Sequence, residues 1–259
     1  MKKPLALAIS AAALAFTSAA LADDPKEGGV VNTIIQPEPP GLVLGMVQNA
    51  PTRTVSGNIY EGLLRYSTDL EPMPQLAESW EVSDDGRTYT FHLREGVTWH
   101  DGEAFTADDV VFSADVFHRE LNPSARAVLQ HVESIEATDD HTVVFTLTQP
   151  FGPFLLSFEA GTFTMVPEHL YAGTDFRNNE HNDHPIGTGP FKFDNWERGT
   201  VIELVKNEEY YEEGLPYLDG VNWHVIPDGA SRAVAFENET IDVLPSGTVE
   251  NFDIPRLAE

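Results

Sequence analysis

Apolar and polar positions alternate most cleanly in two stretches of the chain. In "EVSDDGRTYTFHLREG", Tyr89, Phe91 and Leu93 alternate with Thr88, Thr90 and His92. Asp85-Gly86 supplies turn chemistry just before them, so the stretch predicts a β-hairpin. The unit recurs more loosely as "SIEATDDHTVVFTL", where Val143, Phe145 and Leu147 alternate after Asp139-Asp140. Between the two hairpins the period changes. Val110, Val111, Ala114 and Phe117 form one stripe at helical spacing. Thr106 is placed to cap this helix, Asp108 and Asp109 lie in its first turn, and His118 with Arg119 lie in its last, an arrangement that suits the helix dipole.

Upstream, "GGVVNTII" predicts a strand running into the proline-rich "QPEPPG",. In "VSGNIYEGLLRY", Ile59, Leu63 and Tyr66 recur at a period that predicts a short helix over 55–66,. Downstream, "TQPFGPFLLSFEAGTFTMVPEHLY" mixes aromatics with glycine and proline and has no period. That suits either a loop and short strand lining a cleft or a packed connection. "TDFRNNEHNDHPIGTGPF" reads as a linker or boundary. "FKFDNW" and "VIELVKN" then predict a third hairpin and "VNWHVI" a strand. A helix over "GASRAVAFEN" capped by Asp228 follows, and "IDVL" is a last short strand. The order of strands and helices predicts a mixed α/β lobe.

The first 22 residues stand apart from this pattern. Lys2 and Lys3 precede an apolar run from Leu5 to Ala15, and small residues end at Ala20-Leu21-Ala22. This predicts a secretory signal peptide cleaved before Asp23. The chain has no cysteine, hence no lipid-attachment thiol and no disulfide framework. A free protein of the bacterial periplasm is expected.

The formal charge of −27, from 42 acidic and 15 basic residues, argues against nucleic acid as a partner. Dispersed carboxylates describe a solvated acidic surface, with a preference for cationic ligands as the sharper alternative. Three candidate chemical motifs reduce to scaffold. His100-Asp101-Gly102 is turn chemistry, since adjacent residues on extended chain point opposite ways and no nucleophile is marked. Gly187-Thr188-Gly189 is followed by Pro190, which removes a backbone donor a phosphate loop would use. His181 and His184 form H-x-x-H without a marked third ligand. No metal site, cofactor or catalytic residue is expected.

The run "LAESWEVSDDGRTYTFHLREGVTWHDGEAFTADDVVFSADVF", then "PIGTGPFKF", then "ELVKNEEYYEEGLPYLDGVNWHVIPDGASRAVAFENETIDV" resembles the family 5 solute-binding proteins of ABC importers. These include dipeptide-, oligopeptide- and nickel-binding proteins. The resemblance implies a periplasmic-binding-protein-like type II α/β fold: residues 23–55 and 186–259 as two parts of lobe I, and 56–185 as the extra subdomain that family 5 adds. Members are longer than this chain, so it further implies that the second lobe and the returning C-terminal segment are absent, and that a lone lobe binds peptides poorly or not at all.

By the same resemblance the protein is not an enzyme. It is a monomer that captures di- or oligopeptides and delivers them to an ABC permease in the inner membrane. Nickel chelates, haem, opines and oligosaccharides are the alternative ligands, and a metal-dependent hydrolase is the rival class. Two loops resemble segments that line the family's cleft: Gln48, Asn49 and Ala50 in one, and Gly161, Thr162 and Phe163, preceded by Ala160, in the other. An extended peptide would pair with their backbone groups by strand addition.

Overall fold

The structure, a computed structural model, describes residues 25–258. The expected signal peptide lies outside the described residues. Ten strands form three sheets. They are β1 (Val30–Ile34), β2 (Leu64–Tyr66), β3 (Pro72–Pro74), β4 (Ala77–Val82), β5 (Thr88–Leu93), β6 (Val132–Asp139), β7 (Thr142–Leu147), β8 (Phe191–Glu197), β9 (Val201–Lys206) and β10 (Gly220–His224).

Both predicted hairpins are present, and they share one antiparallel sheet of order β4-β5-β7-β6. Tyr89, Phe91 and Leu93 face the same side as Val143, Phe145 and Leu147, and all six are buried. Register pairs Tyr89 with Phe145 and Phe91 with Val143, so the two alternating stripes meet as one apolar face. The β4–β5 turn closes on Ser83. Its Oγ accepts from the Thr88 amide at 2.9 Å, and Gly86, at φ +65°, supplies the left-handed residue that the turn needs,.

The intervening helix runs continuously over 107–121, and Phe112–His118 within it is wound as a π-helix. Val110, Ala114 and Phe117 are fully buried, as their stripe predicts. Asp109 does more than favour the dipole. Its carboxylate accepts from the Thr106 amide at 2.9 Å, from the Glu168 amide at 2.9 Å and from Trp99 Nε1 at 3.2 Å. Burial pushes its carboxyl upward, against the pull of these three donors,.

The second sheet has the order β1-β10-β9-β8. The chain's early strand β1 lies parallel to the late strand β10, with Val30 opposite Gly220 and Ile34 opposite His224. β8 and β9 form the predicted third hairpin, and the helix Gly229–Glu237 starts at Asp228, whose side chain accepts from the Ser231 amide. "IDVL" makes only a single parallel bridge, Thr33 with Val243, beside β1.

Two apolar clusters fill the structure. One gathers Leu63, Leu64, Phe91, Trp99, Phe145, Phe154 and Phe158 around the first sheet. The other gathers Ile59, Tyr60, Phe117, Tyr171, Ile202 and Leu204 around the second.

The segment joining these clusters departs from the pattern reading. The helix predicted over 55–66 is replaced by a helix at Ala50–Ser56, a turn, and strand β2. Asn49 caps the observed helix, accepting from the Thr52 amide at 2.8 Å, and Pro51 stands in its first turn,. Beyond Gly57 the amides of Asn58, Ile59 and Tyr60 still bond back to Val55 and Ser56, but the carbonyls from Asn58 onward take partners outside a helix. Ile59 O accepts from Gly189 N at 2.9 Å and Asn58 O from Phe191 N at 3.1 Å. Glu61 O accepts from Met165 N, and Leu63 O from Ala77 N, each at 3.0 Å. All of residues 59–64 are buried, so a periodic subset of a wholly buried run was mistaken for one helical face.

Candidate functional site

Most residues that the sequence marks for chemistry build the frame. His100 turns its ring onto the glycine loop. Its Nδ1 accepts from the Gly187 amide at 3.3 Å and its Nε2 donates to Gly189 O at 2.9 Å. Both nitrogens are thereby assigned in the neutral ring, and burial holds its pKa down at about 4,. Asp101 points elsewhere, its Oδ2 lying 2.8 Å from His169 Nε2.

Residues 187–189 are not a linker. All three are buried, and a Cβ on Gly187 would collide with the Ile59 carbonyl, while one on Gly189 would stand 2.7 Å from the Asn58 and Ile59 carbonyls. The glycines are there for backbone contact. His181 belongs to a short polar turn, its amide donating to Asn179 Oδ1 at 2.8 Å. His184 packs edge-on against Phe193. Among the described residues no three or more His, Asp or Glu side chains gather as a metal site.

Between Gln75, Thr188, Tyr210 and Tyr211 sits a residue the pattern reading passed over. Glu61 is 2% exposed, and its carboxylate accepts from Tyr211 OH at 2.8 Å, Tyr210 OH at 2.9 Å, Thr188 Oγ1 at 2.9 Å and Gln75 Nε2 at 3.0 Å. Burial raises its pKa and the four donors pull it back,. The signal was the lone carboxylate in the otherwise unbroken buried run from Ile59 to Leu64.

The two loops expected to touch a solute are adjacent in the structure. Gln48 Nε2 donates to Gly161 O at 3.1 Å, and Ser124 Oγ donates to Gln48 Oε1 at 3.2 Å. Asn49 and Ala50 continue directly into the helix at Ala50–Ser56.

Glu159 organises the second loop, its carboxylate accepting from the Gly161 amide at 2.6 Å and from Thr162 Oγ1 at 2.8 Å. From the π-helical side, His118 Nε2 donates to Thr164 O at 2.7 Å and Asn122 Nδ2 to Thr162 O at 3.0 Å. Gln48 and Ala50 are exposed, Asn49 and Thr162 half-buried, and Gly161 buried. Phe163 differs from expectation, since its ring is fully buried and stacks on Phe158 at 5.1 Å between centroids. Its side chain serves the core, because a large apolar ring gains more there than at a wet surface.

These loops form an open wall. The larger concavities lie elsewhere, one of about 410 Å³ beside Phe236, Ile241 and Leu257, and one of about 370 Å³ beside Arg65, Tyr210 and Leu215.

Residues 71–257 match the family described as bacterial extracellular solute-binding proteins, family 5 Middle. The chain belongs to that family. It is 33% identical over 266 residues to Protein XP55 of Streptomyces lividans, an alignment covering 97% of this chain and 47% of the relative. It is 34% identical over 242 residues to the oligopeptide-binding protein AppA of Bacillus subtilis, covering 90% of this chain and 42% of AppA.

The AppA structure in complex with a nonapeptide superposes with a TM-score of 0.81 at 29% identity, covering 91% of this chain and 47% of that one. The periplasmic binding protein DppA of Helicobacter pylori, in complex with the peptide STSA, superposes at 0.79 with 30% identity, covering 90% and 49%. The fold is therefore the α/β fold of family 5 periplasmic binding proteins. The chain spans less than half the length of these relatives. No described helix is long and apolar enough to cross a membrane.

Proposed function

We propose that this chain supplies one wall of a periplasmic receptor that captures di- or oligopeptides and presents them to an ABC permease in the inner membrane. The sheet shared by the chain's two ends would be lobe I. The stretch 56–185, with β2 to β7, would be the subdomain added to it. The observation that carries the reading is the bond from Gln48 to Gly161 O, which joins the two candidate loops into one continuous surface.

Its openness fits a receptor that buries its solute by hinge closure between lobes, because each wall alone is then a surface and not a cavity. The relatives AppA and DppA, solved with bound peptides, support the peptide class; nickel chelates, haem, opines and oligosaccharides stay as the alternative ligands. Under this reading no bond in the solute is broken, and the protein is secreted, soluble and monomeric.

Calorimetric titration of the purified protein with a pool of di- to pentapeptides tests it. Binding should be measurable at millimolar peptide, and Gln48→Ala and Thr162→Ala should each weaken it by roughly 5- to 10-fold, the loss of about one hydrogen bond, with the protein still folded at the assay temperature. Tight binding of a nickel chelate or haem in place of every peptide would replace the peptide class. Peptide binding indifferent to both substitutions would move the site away from these loops.

A further inference from the structure

Arg53 stands beside the candidate wall with more donors than the protein uses. Its Nη2 lies 3.3 Å from both carboxylate oxygens of Glu159. Its Nε and Nη1 donate to no acceptor among the described residues. The side chain is 50% exposed and that of Glu159 31%.

Glu159 is committed inward, holding the Gly161 amide and the Thr162 hydroxyl, so the ion pair leaves the outer part of the guanidinium open. The head group lies directly over Gly161, where a Cβ would collide with Nη2 and Cζ. Glycine at 161 thus makes room for the arginine against the loop backbone.

We infer that Arg53 receives a carboxylate of the bound solute. The inference rests on the peptide-receptor reading above and names the group by which the peptide is held. A guanidinium is a planar fork of five donors that matches a carboxylate, and hydrogen bonds between ionised partners are stronger than neutral ones. The surroundings make such a residue necessary. A chain of formal charge −27 repels anionic groups from most of its surface, so a solute ending in a carboxylate needs a local cation to approach. Arg53 provides one beside Gln48 and directly over Gly161, on the loops that the receptor reading gives to the solute.

Two sources carry this chemistry, the peptide's C-terminus and an acidic side chain, and the test separates them. Four tetrapeptides are titrated calorimetrically against the purified protein: a neutral sequence with a free C-terminus, the same sequence amidated, the amidated sequence with one Glu, and its Gln counterpart. Wild type should prefer a carboxylate-bearing peptide over its neutral counterpart by roughly 10- to 100-fold. The pair that shows the preference identifies the source.

Arg53→Gln should erase the preference by weakening the carboxylate form and leaving the neutral form unchanged. Gly161→Ala, whose Cβ pushes the guanidinium aside and presses on Glu159 Oε2 as well, should reproduce part of the loss while the arginine's charge stays in place. Equal affinity of wild type for all four peptides would overturn the inference while leaving the receptor reading intact, as would Arg53→Gln weakening charged and neutral peptides alike. Failure of wild type to bind any of them, even at millimolar peptide, would overturn the inference together with the reading of these loops as a wall that holds the solute on its own.

Discussion

Replacing Glu61 with alanine should cost the protein about 3–5 kcal/mol, one fully buried donor left unsatisfied plus part of that cost at three half-buried ones. The substitution takes one acceptor group from four donors, the Tyr210, Tyr211 and Thr188 hydroxyls and the Gln75 amide. A donor left unsatisfied in the interior costs about 1–3 kcal/mol. Thr188, at 1% exposure, has no water to turn to, whereas Gln75, Tyr210 and Tyr211 are half-buried and recover part of their loss by hydration. The methylenes removed with the carboxylate add a cavity term.

Glu61→Gln keeps one carbonyl acceptor and should cost less, about 1–2 kcal/mol by the same reckoning. The assay is urea unfolding followed by tryptophan fluorescence. With a slope of about 2–3 kcal/mol per molar, the alanine variant's midpoint should fall by about 1–2 M at unchanged slope.

The pH dependence gives a second check. Burial raises the folded-state pKa of Glu61 above its ordinary 4.5, so its contribution is fully present below about pH 4.5 and is lost as pH rises through the folded value. The gap between wild type and Glu61→Gln should therefore be widest in acid and narrow toward neutrality. A Glu61→Ala midpoint equal to wild type, or a gap that widens with pH, would refute the account of this residue as a fourfold-bonded buried carboxyl.

Four further outcomes follow from the same geometry. Gly187→Ala should destabilise by several kcal/mol or prevent folding, because its Cβ would meet the Ile59 backbone carbonyl and not a movable side chain,; a urea midpoint near wild type would contradict the contact. His100→Ala should lower stability by about 0.5–3 kcal/mol and leave solute affinity unchanged; calorimetry showing lost binding with unchanged melting would make His100 part of the site. The His118 imidazole is held at about 4 by burial, against an ordinary 6.5, so its contribution is present above pH 6.5 and lost as pH falls toward 4, roughly 3 kcal/mol over that span. A His118→Asn protein should lose this part of the acid slope in urea titrations across that range, and an unchanged slope would count against it. Phe158→Ala, emptying a fully buried site among Phe91, Phe145, Phe154 and Phe163, should cost about 3–5 kcal/mol by the same unfolding assay; a loss under 1 kcal/mol would mean the site collapses without strain.

What could be read from the chain follows from how local each feature is. The Tyr89 and Val143 stripes and the Val110 stripe are each half-buried patterns, and a half-buried element writes its period into the sequence. The run from Ile59 to Leu64 is buried on every side, so its period carries no information. Its conformation is set by partners such as Gly189 and Ala77, which lie far along the chain. The same holds for the glycine loop. Its proline excluded a phosphate cradle, but only the distant Ile59 carbonyl explains why glycine stands on both sides of Thr188. At the candidate site, the family resemblance proposed the two loops, which the structure shows to be adjacent, while residue patterns passed over Arg53, Glu159 and Glu61, whose partners lie in distant segments.

The frame and the candidate wall are mechanically one unit. The 159–164 loop is held from beneath by Phe163 in the aromatic core, from one side by His118 at the end of the π-helical stretch and Asn122 just beyond the helix, and from the other by Gln48. The residue after it, Met165, donates its amide to the backbone of Glu61, the residue whose side chain ties Thr188 to the paired tyrosines. A loop fixed at so many points has little conformational entropy left to lose, so a solute docking on it is not charged for ordering the wall. Under the proposed receptor reading, the motion of capture would then lie outside the wall, in the approach of whatever covers the solute. Thr188 of "GTGPF" and the Tyr210-Tyr211 pair converge on Glu61 and not on the exposed side of the loops, so these residues hold the wall's shape from behind.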